Sequence, residues 1–280
     1  MGVALPGSLS PSSVSSFKDC PLAFRFAYVD RLPEPPSAAA SKGTLVHRAL
    51  EHLMCRPADE RTLDAAFDDL DHARADLQDH RDLTGLDLTV DEWDAFHADA
   101  RRMVERYFEL EDPTTVHPIG LELKLAAKIG KVTLRGIIDR LEIAEDGEWV
   151  VTDYKTGSVP SEQRERSRLA GVHMYALLCE QMLGRRPARV QLLYLSKPEA
   201  IIAEPSEQSV TGVARRTGAI WSAIERACAT EDFRPSPGPL CNYCAFQPYC
   251  PAYGGDPLLA RELLGPGTVI EPTLPLANAS

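Results

Sequence analysis

Apolar positions recur at helical spacing in the first part of the chain and at strand spacing in its middle. Ser10-Pro11 ahead of SSVSSFKDC reads as an N-cap followed by a proline at the first helical position. The short helix this predicts turns Val14 and Phe17 inward and ends near Cys20-Pro21, with LAFRFAYVDRL continuing it. LPEPPSAAAS is a loop by composition. Thr44 to Met54 is a predicted helix with Leu45, Leu50, Leu53 and Met54 on its apolar positions. Ala58–Leu83 and Asp91–Leu110 are two more, acidic outside, with Trp93, Phe96, Met103, Val104, Tyr107 and Phe108 forming a core stripe. The period changes at Pro113. Ile119–Ile129, Lys131–Ile143 and Trp149–Tyr154 are strand-like, with turns at Gly130 and Ala144–Glu148, and predict a three-strand antiparallel meander. Leu169–Leu183 is an apolar helix ending at Gly184, Val190–Leu195 and Ile201–Glu204 are strands, and Gln208–Ala229 is a helix. Pro235–Pro251 is a cysteine loop, and Gly254–Ser280 is Pro/Gly-rich and expected to be loosely held. The order from the meander onward is βββ-α-β-β-α, an α/β class with helices before it.

Charge changes the picture by its position. The 280 residues carry 41 Asp+Glu against 30 Lys+Arg, a net of −11, which on its own argues against a nucleic-acid partner. Asp59 to Asp99 holds 14 acidic and 3 basic residues, so this one segment carries the whole imbalance and the rest is neutral. Ser161 to Thr230 is mildly basic, with 10 basic and 7 acidic residues. The acidic stretch reads as a solvated helical face. No run of about 18 apolar residues is present, so a membrane span is not expected. The opening MGVALPGSLSPSS lacks a basic region followed by an apolar one, so a signal peptide is not expected and a cytoplasmic location is.

Two constellations carry candidate chemistry. Asp139 in LRGIIDRLE and Asp153 in VVTDYKTG sit in strands otherwise built of Val, Ile and Leu, where a charge is costly unless paired or metal-bound. Asp153 and Lys155 are two apart and share a strand face, and Asp139 lies on the neighbouring strand. His47 and Glu51 form an i, i+4 pair on one helical face. Carboxylates with one imidazole suit Mg²⁺ or Mn²⁺. Singly, each has a plainer reading: an exposed ion pair for Asp153–Lys155, a surface histidine for His47, a structural salt bridge for Asp139–Arg140. The ordered set raises the metal reading. The second constellation is Cys241-x₂-Cys244-x₅-Cys250, which lacks a fourth member; Cys20, at the end of the first helix, is the candidate. With seven cysteines, an odd number, and no secretion signal, ligands are favoured over disulfides. Four thiolates hold either structural Zn²⁺ or a [4Fe–4S] cluster. Cys55, Cys179 and Cys228 read as buried thiols. For nucleic-acid contact the candidates are Arg135, Arg164, Arg166, Arg168 and Arg215-Arg216, with Tyr243, Phe246 and Tyr249 as stacking aromatics, each equally readable as solvated charge or local packing.

GTLVHRALE, GIIDR and VVTDYKTG, taken in order with SLSPSSVSSFKDCPLAFRF and CNYCAFQPYC, resemble the RecB-type nucleases of the PD-(D/E)XK superfamily over Ser8 to Gly254. The likeness is to stand-alone RecB-family exonucleases of the actinobacterial type, relatives of the CRISPR-associated iron–sulfur exonucleases. It implies a restriction-endonuclease-like mixed sheet flanked by helices, in one domain over 1–254, with a helical insertion at 59–112, a cysteine region at 241–250 and a tail at 255–280. It implies Mg²⁺ or Mn²⁺ on His47, Asp139, Asp153 and the Tyr154 carbonyl, with Asp139, Asp153 and Lys155 catalytic and Glu51, Tyr175 and Arg135 auxiliary. It further implies a [4Fe–4S] cluster on Cys20, Cys241, Cys244 and Cys250, and DNA, as single-stranded ends, for a substrate in repair or recombination. A helicase or repair partner is compatible with this; the chain has no Walker A motif of its own. The family usually carries a glutamine four residues before a tyrosine. Tyr175 matches the tyrosine, whereas Gly171 stands at the glutamine's place. The rival readings are a DNA-binding accessory protein on a degenerate nuclease fold and a zinc-stapled interaction protein.

Overall fold

Ser10 caps the first helix, α1 (Pro11–Asp19), with a reciprocal box: its hydroxyl accepts from the Ser13 amide while Ser13 reaches back to the Ser10 amide. Cys20 breaks to an extended conformation, and Pro21 restarts a short helix, α2 (Pro21–Phe24), which loosens into a π-helical turn over Arg25–Val29. A computed structural model describes residues 2–160 and 162–262, apart from the side chains of 162–170 and 261–262. The helices α3 (Ala38–Cys55), α4 (Leu63–Asp76), α5 (Arg81–Thr84) and α6 (Val90–Leu110) follow, then strands β1 (Pro118–Ile129), β2 (Val132–Ile143) and β3 (Trp149–Lys155). Helix α7 (Glu162–Leu183), strands β4 (Arg189–Tyr194) and β5 (Glu199–Ala203), and helices α8 (Glu207–Thr230) and α9 (Pro257–Glu262) complete the order.

Four elements differ from the sequence expectation. Helix α7 starts at Glu162, seven residues before the expected Leu169. The helix α3 starts at Ala38 inside the stretch expected to be a loop, because Ser37 caps it by accepting from the Ala40 amide and the following alanines favour helix. The single helix expected over Ala58–Leu83 is divided. Its chain turns at 77–80, where His80 Nδ1 accepts from the Asp82 amide and caps α5 separately. Part of the Pro/Gly-rich end is ordered as α9, and residues 263–280 lie outside the described ones.

The five strands form one mixed sheet in the order β1-β2-β3-β4-β5, antiparallel from β2 to β3 and from β4 to β5 and parallel from β3 to β4, the parallel pair being linked through α7. Strand β3 is buried along almost its whole length, as a central strand covered on both faces must be. This mixed sheet with flanking helices is the restriction-endonuclease-like arrangement. No helix among the described residues is long and apolar enough to cross a membrane.

The chain divides into two compact units. The larger is built from 36–126 and 136–213. Its core joins α3, α4 and α6 through Leu45, Leu50, Leu53, Leu70, Phe96, Val104 and Tyr107, with Tyr154 and Leu193 from the sheet. The smaller is built from 1–35, the hairpin tip 127–135 and 214–275. Within it Leu9 lies beside Leu134 in a parallel bridge, its amide donating to the Thr133 carbonyl at 2.9 Å, and the Arg135 amide donates to Leu9 O at 2.7 Å. Phe26 meets Phe246 at 5.5 Å between ring centres and Tyr249 at 6.3 Å, joining the π-helical turn to the cysteine region. Charge is segregated between the units: the smaller has 11 basic and 9 acidic residues, the larger 19 basic and 32 acidic.

Candidate active site and cysteine site

The larger unit gathers the acidic set around the β2–β3 ladder. Arg140 pairs with Thr152 across it, so Asp139 and Asp153 are neighbours one step further on. The Tyr154 amide donates to Asp139 Oδ2 at 2.6 Å, and His47 Nδ1 from α3 lies 3.5 Å from the same oxygen. Lys155 Nζ lies 2.6 Å from Asp153 Oδ2, and the Tyr175 hydroxyl from α7 hydrogen-bonds Asp153. Both aspartates are buried.

Burial and neighbours drive the two carboxylates apart. Burial works to raise Asp139, but His47, Lys155 and the Tyr154 amide outweigh it and hold it below the usual carboxylate range. Burial raises Asp153, and the Asp139 charge adds to that against the pull of Lys155. Burial alone would lower His47; the combined attraction of Asp139 and Asp153 raises it instead.

Glu122 on β1 completes the group, and the sequence reading missed it. One ligand atom each from His47, Glu122 and Asp139 lies within 4.8 Å of the others, a spacing that one cation can bridge. Glu122 has φ of +46°, a left-handed conformation that is strained for glutamate. Strand β1 nevertheless runs on through this residue to Ile129. Burial, with Asp139 beside it, pushes the Glu122 carboxyl up to about 7. The only sequence signal was a charge among the leucines of GLELKL, and the backbone kink is invisible there.

The donor set fits a hard divalent cation. His47 Nε2 is buried with no hydrogen-bond partner among the described residues, and the carboxylates crowd together without enough positive charge around them.

The other expected residues fall as follows. Glu51 stands near this group but is held by Arg48 at 2.6 Å. Arg135 belongs to the smaller unit, where its charge acts on Tyr28. Arg140 does not pair with Asp139. Consecutive strand residues face opposite ways, and Arg140, fully buried, binds Glu111, Glu142, Thr152 and the Tyr107 and Tyr154 hydroxyls. Gly171 lies one helical turn before Tyr175 on α7; His173, two residues off, faces elsewhere. The side chains of Arg164, Arg166 and Arg168 lie outside the described residues.

The smaller unit assembles the four cysteines. Cys241, Cys244 and Cys250 are half-buried on a series of 3₁₀ turns, as is Cys20 at the α1–α2 break. The amides of Cys241, Cys244, Gln247, Cys250 and Tyr253 donate in turn to the carbonyls three residues back, so ligand spacings of 3 and 6 match the turn period. Cys20, Cys241 and Cys250 all act electrostatically on Cys244. The Gly238 amide donates to Cys241 Sγ at 3.3 Å, a bond suited to a thiolate. Gly255 packs so closely that a Cβ there would lie 2.2 Å from Pro248 O, which holds the chain after the loop against the turn at Pro248–Cys250. These donors fit a thiophilic centre. Of the other thiols, Cys179 and Cys228 are buried as expected, but Cys55 is exposed, because it is the last residue of α3. Among the aromatics, Phe246 is buried, Tyr249 packs on Phe26, and Tyr243 is 89% exposed.

No curated protein sequence matches the chain. Two crystal structures are similar to the chain at 12% identity. One is a "Putative exonuclease" from Eubacterium rectale, with a TM-score of 0.52 over 85% of this chain and 87% of that one. The other, SSO0001, has a TM-score of 0.43 over 90% and 89%. The family model for the PD-(D/E)XK nuclease superfamily matches residues 8–251, a span that takes in the paired aspartates, the lysine and Cys20, Cys241, Cys244 and Cys250, and the chain belongs to that superfamily.

Proposed function

We propose that this superfamily member is a RecB-type, Mg²⁺- or Mn²⁺-dependent deoxyribonuclease that shortens DNA from single-stranded ends, with a role in repair or recombination. The observation that carries the reading is the convergence of His47, Glu122 and Asp139 within 4.8 Å, beside Asp153 and Lys155, with His47 Nε2 buried and unpartnered. His47, Glu122, Asp139, Asp153 and the Tyr154 carbonyl would hold the ion. A bound Mg²⁺ or Mn²⁺ supplies Lewis-acid polarisation of the scissile phosphate.

The chain's own groups do the rest. His47 and the Tyr154 amide keep Asp139 ionised and fixed, so its carboxylate is preorganised. Tyr175 and Lys155 orient Asp153 from two sides. Lys155 steadies the charge that grows on the phosphate as the attacking water's oxygen approaches phosphorus. Tyr154, gripped at its hydroxyl by Arg140, holds the peptide between Asp153 and Lys155. Exposed Tyr243 supports stacking on an unpaired base.

The test is end-labelled single-stranded DNA with Mn²⁺ or Mg²⁺, with and without chelator. Progressive shortening, stopped by chelation, is expected. Lys155→Ala should lose cleavage and keep Mn²⁺ affinity. Binding without any cleavage, under either ion, would instead establish the accessory-protein reading suggested by Gly171.

For the cysteines, the proposed occupant is a [4Fe–4S] cluster that staples the smaller unit. Protein prepared without oxygen should be brown, absorb near 400 nm and carry about four irons per chain. Cys244→Ser should bleach it. A colourless, zinc-loaded protein would reverse the assignment in favour of Zn²⁺.

A further inference from the structure

The smaller unit holds a second cavity that none of this chemistry uses. It is a half-open hollow of about 410 Å³ between the β1–β2 hairpin tip and α8, within the usual volume range for small-ligand sites. Ile129, Val132, Ala214 and Trp221 give it apolar walls, and Lys131, Arg215 and Ser222 supply its polar edge. Neither Lys131 nor Arg215 has a carboxylate partner among the described residues. Both are exposed, and both lie in the unit that escapes the chain's negative charge.

Two glycines keep the cavity open. A Cβ at Gly130 or at Gly218 would meet nothing within 4 Å. Gly130 has φ of +61° and serves the turn, but Gly218 sits inside α8, where glycine weakens a helix and a larger residue would fit. Its backbone position faces space that no side chain among the described residues fills.

Two cations with no carboxylate partner among the described residues, at the edge of an apolar slot, match one ligand chemistry: a phosphate joined to a flat apolar body. We infer that this cavity binds a nucleotide, its phosphate between Lys131 and Arg215 and its base against the apolar walls. Guanidinium and ammonium groups together suit a phosphate, and one wall is an indole. The inference extends the nucleic-acid reading above to a separate site. A nucleotide can come from a DNA strand or from the mononucleotides that degradation releases.

The experiment titrates full-length protein, in chelator, with dTMP and separately with a twelve-residue oligo(dT). Three proteins are compared: wild type, Gly218→Leu and Lys131→Gln/Arg215→Gln. Gly218→Leu fills the slot and leaves both charges in place; the double variant removes the charges and leaves the slot. Each should weaken binding at least tenfold with the fold intact by circular dichroism. The double variant should also flatten the salt dependence of oligonucleotide affinity, by about 0.7 per lost phosphate contact in log–log slope. Loss confined to dTMP identifies a free-nucleotide site, and loss with both probes a strand-binding one. Unchanged affinity in Gly218→Leu and in the double variant overturns the proposal while leaving cleavage untouched. Binding of dTMP by a wild type that never cuts DNA would keep this site and remove the nuclease reading.

Discussion

Arg140→Ala will destabilise the larger unit by about 3–5 kcal/mol, the cost of leaving buried charge without its partner. The guanidinium is fully buried and makes a two-point contact with Glu111, with further bonds to Thr152 at 3.0 Å, Tyr154 Oη at 2.8 Å and Glu142 at 2.7 Å. Truncation takes a cationic partner from two largely buried carboxylates and the donor from the Tyr154 hydroxyl, while Tyr107 keeps its bond to Glu111. Urea or thermal unfolding measures the loss, which for a protein of this size corresponds to about 10 °C in Tm. A second variant keeps the expectation testable if Arg140→Ala does not fold. Glu111→Gln retains the shape and one acceptor and should cost much less. Equal effects from both, or a loss below about 1 kcal/mol in Arg140→Ala, would show that water replaces the guanidinium without difficulty.

Asp153→Asn will lower cleavage by about 10³-fold or more while raising thermal stability. The rate loss follows from removing a charge preorganised at the reacting centre, several kcal/mol of barrier at about 1.4 kcal/mol per decade. The stability gain follows from the sign of the shift. The folded Asp153 holds its proton more tightly than the unfolded chain does, because burial and Asp139 oppose its ionisation. Its charge therefore costs stability above the unfolded pKa of about 3.9, increasingly as pH rises through the folded value. The amide carries no such charge. In metal-free buffer the variant should melt higher than wild type at pH 7, and the gap should close toward pH 3, where both are neutral. Lower stability at pH 7 would mean that the Lys155 ion pair outweighs the repulsion. Retained cleavage would remove Asp153 from the site.

Much of this architecture was legible because it is local. The periods of 3.6 and 2 marked α6 and the strands to within a residue or two, and the Ser10-Pro11 signal gave the start of α1. Asp139, Asp153, Lys155 and His47 were named from motif order, and the β2–β3 register brings the two aspartates together. What escaped depends on distant partners. Glu122 joins through a kink that packing imposes, not through its neighbours. Glu111 is 29 residues from Arg140, so the pairing has no short-range signature. The break before α5 depends on a histidine acting as a cap, a role more often taken by Asp, Asn, Ser or Thr.

The smaller unit is sewn from the two ends of the chain, and that has a consequence during synthesis. Its first 35 residues leave the ribosome long before the segment from 214 onward that covers them. At about 5–20 residues per second, Phe26 waits about 10–40 s for Phe246 and Tyr249. Cys20 waits as long for Cys250 to emerge. The larger unit, complete once residue 213 is made, can fold in the interval. A nascent chain stalled at residue 220 should therefore resist protease over its middle and be cut within its first 35 residues.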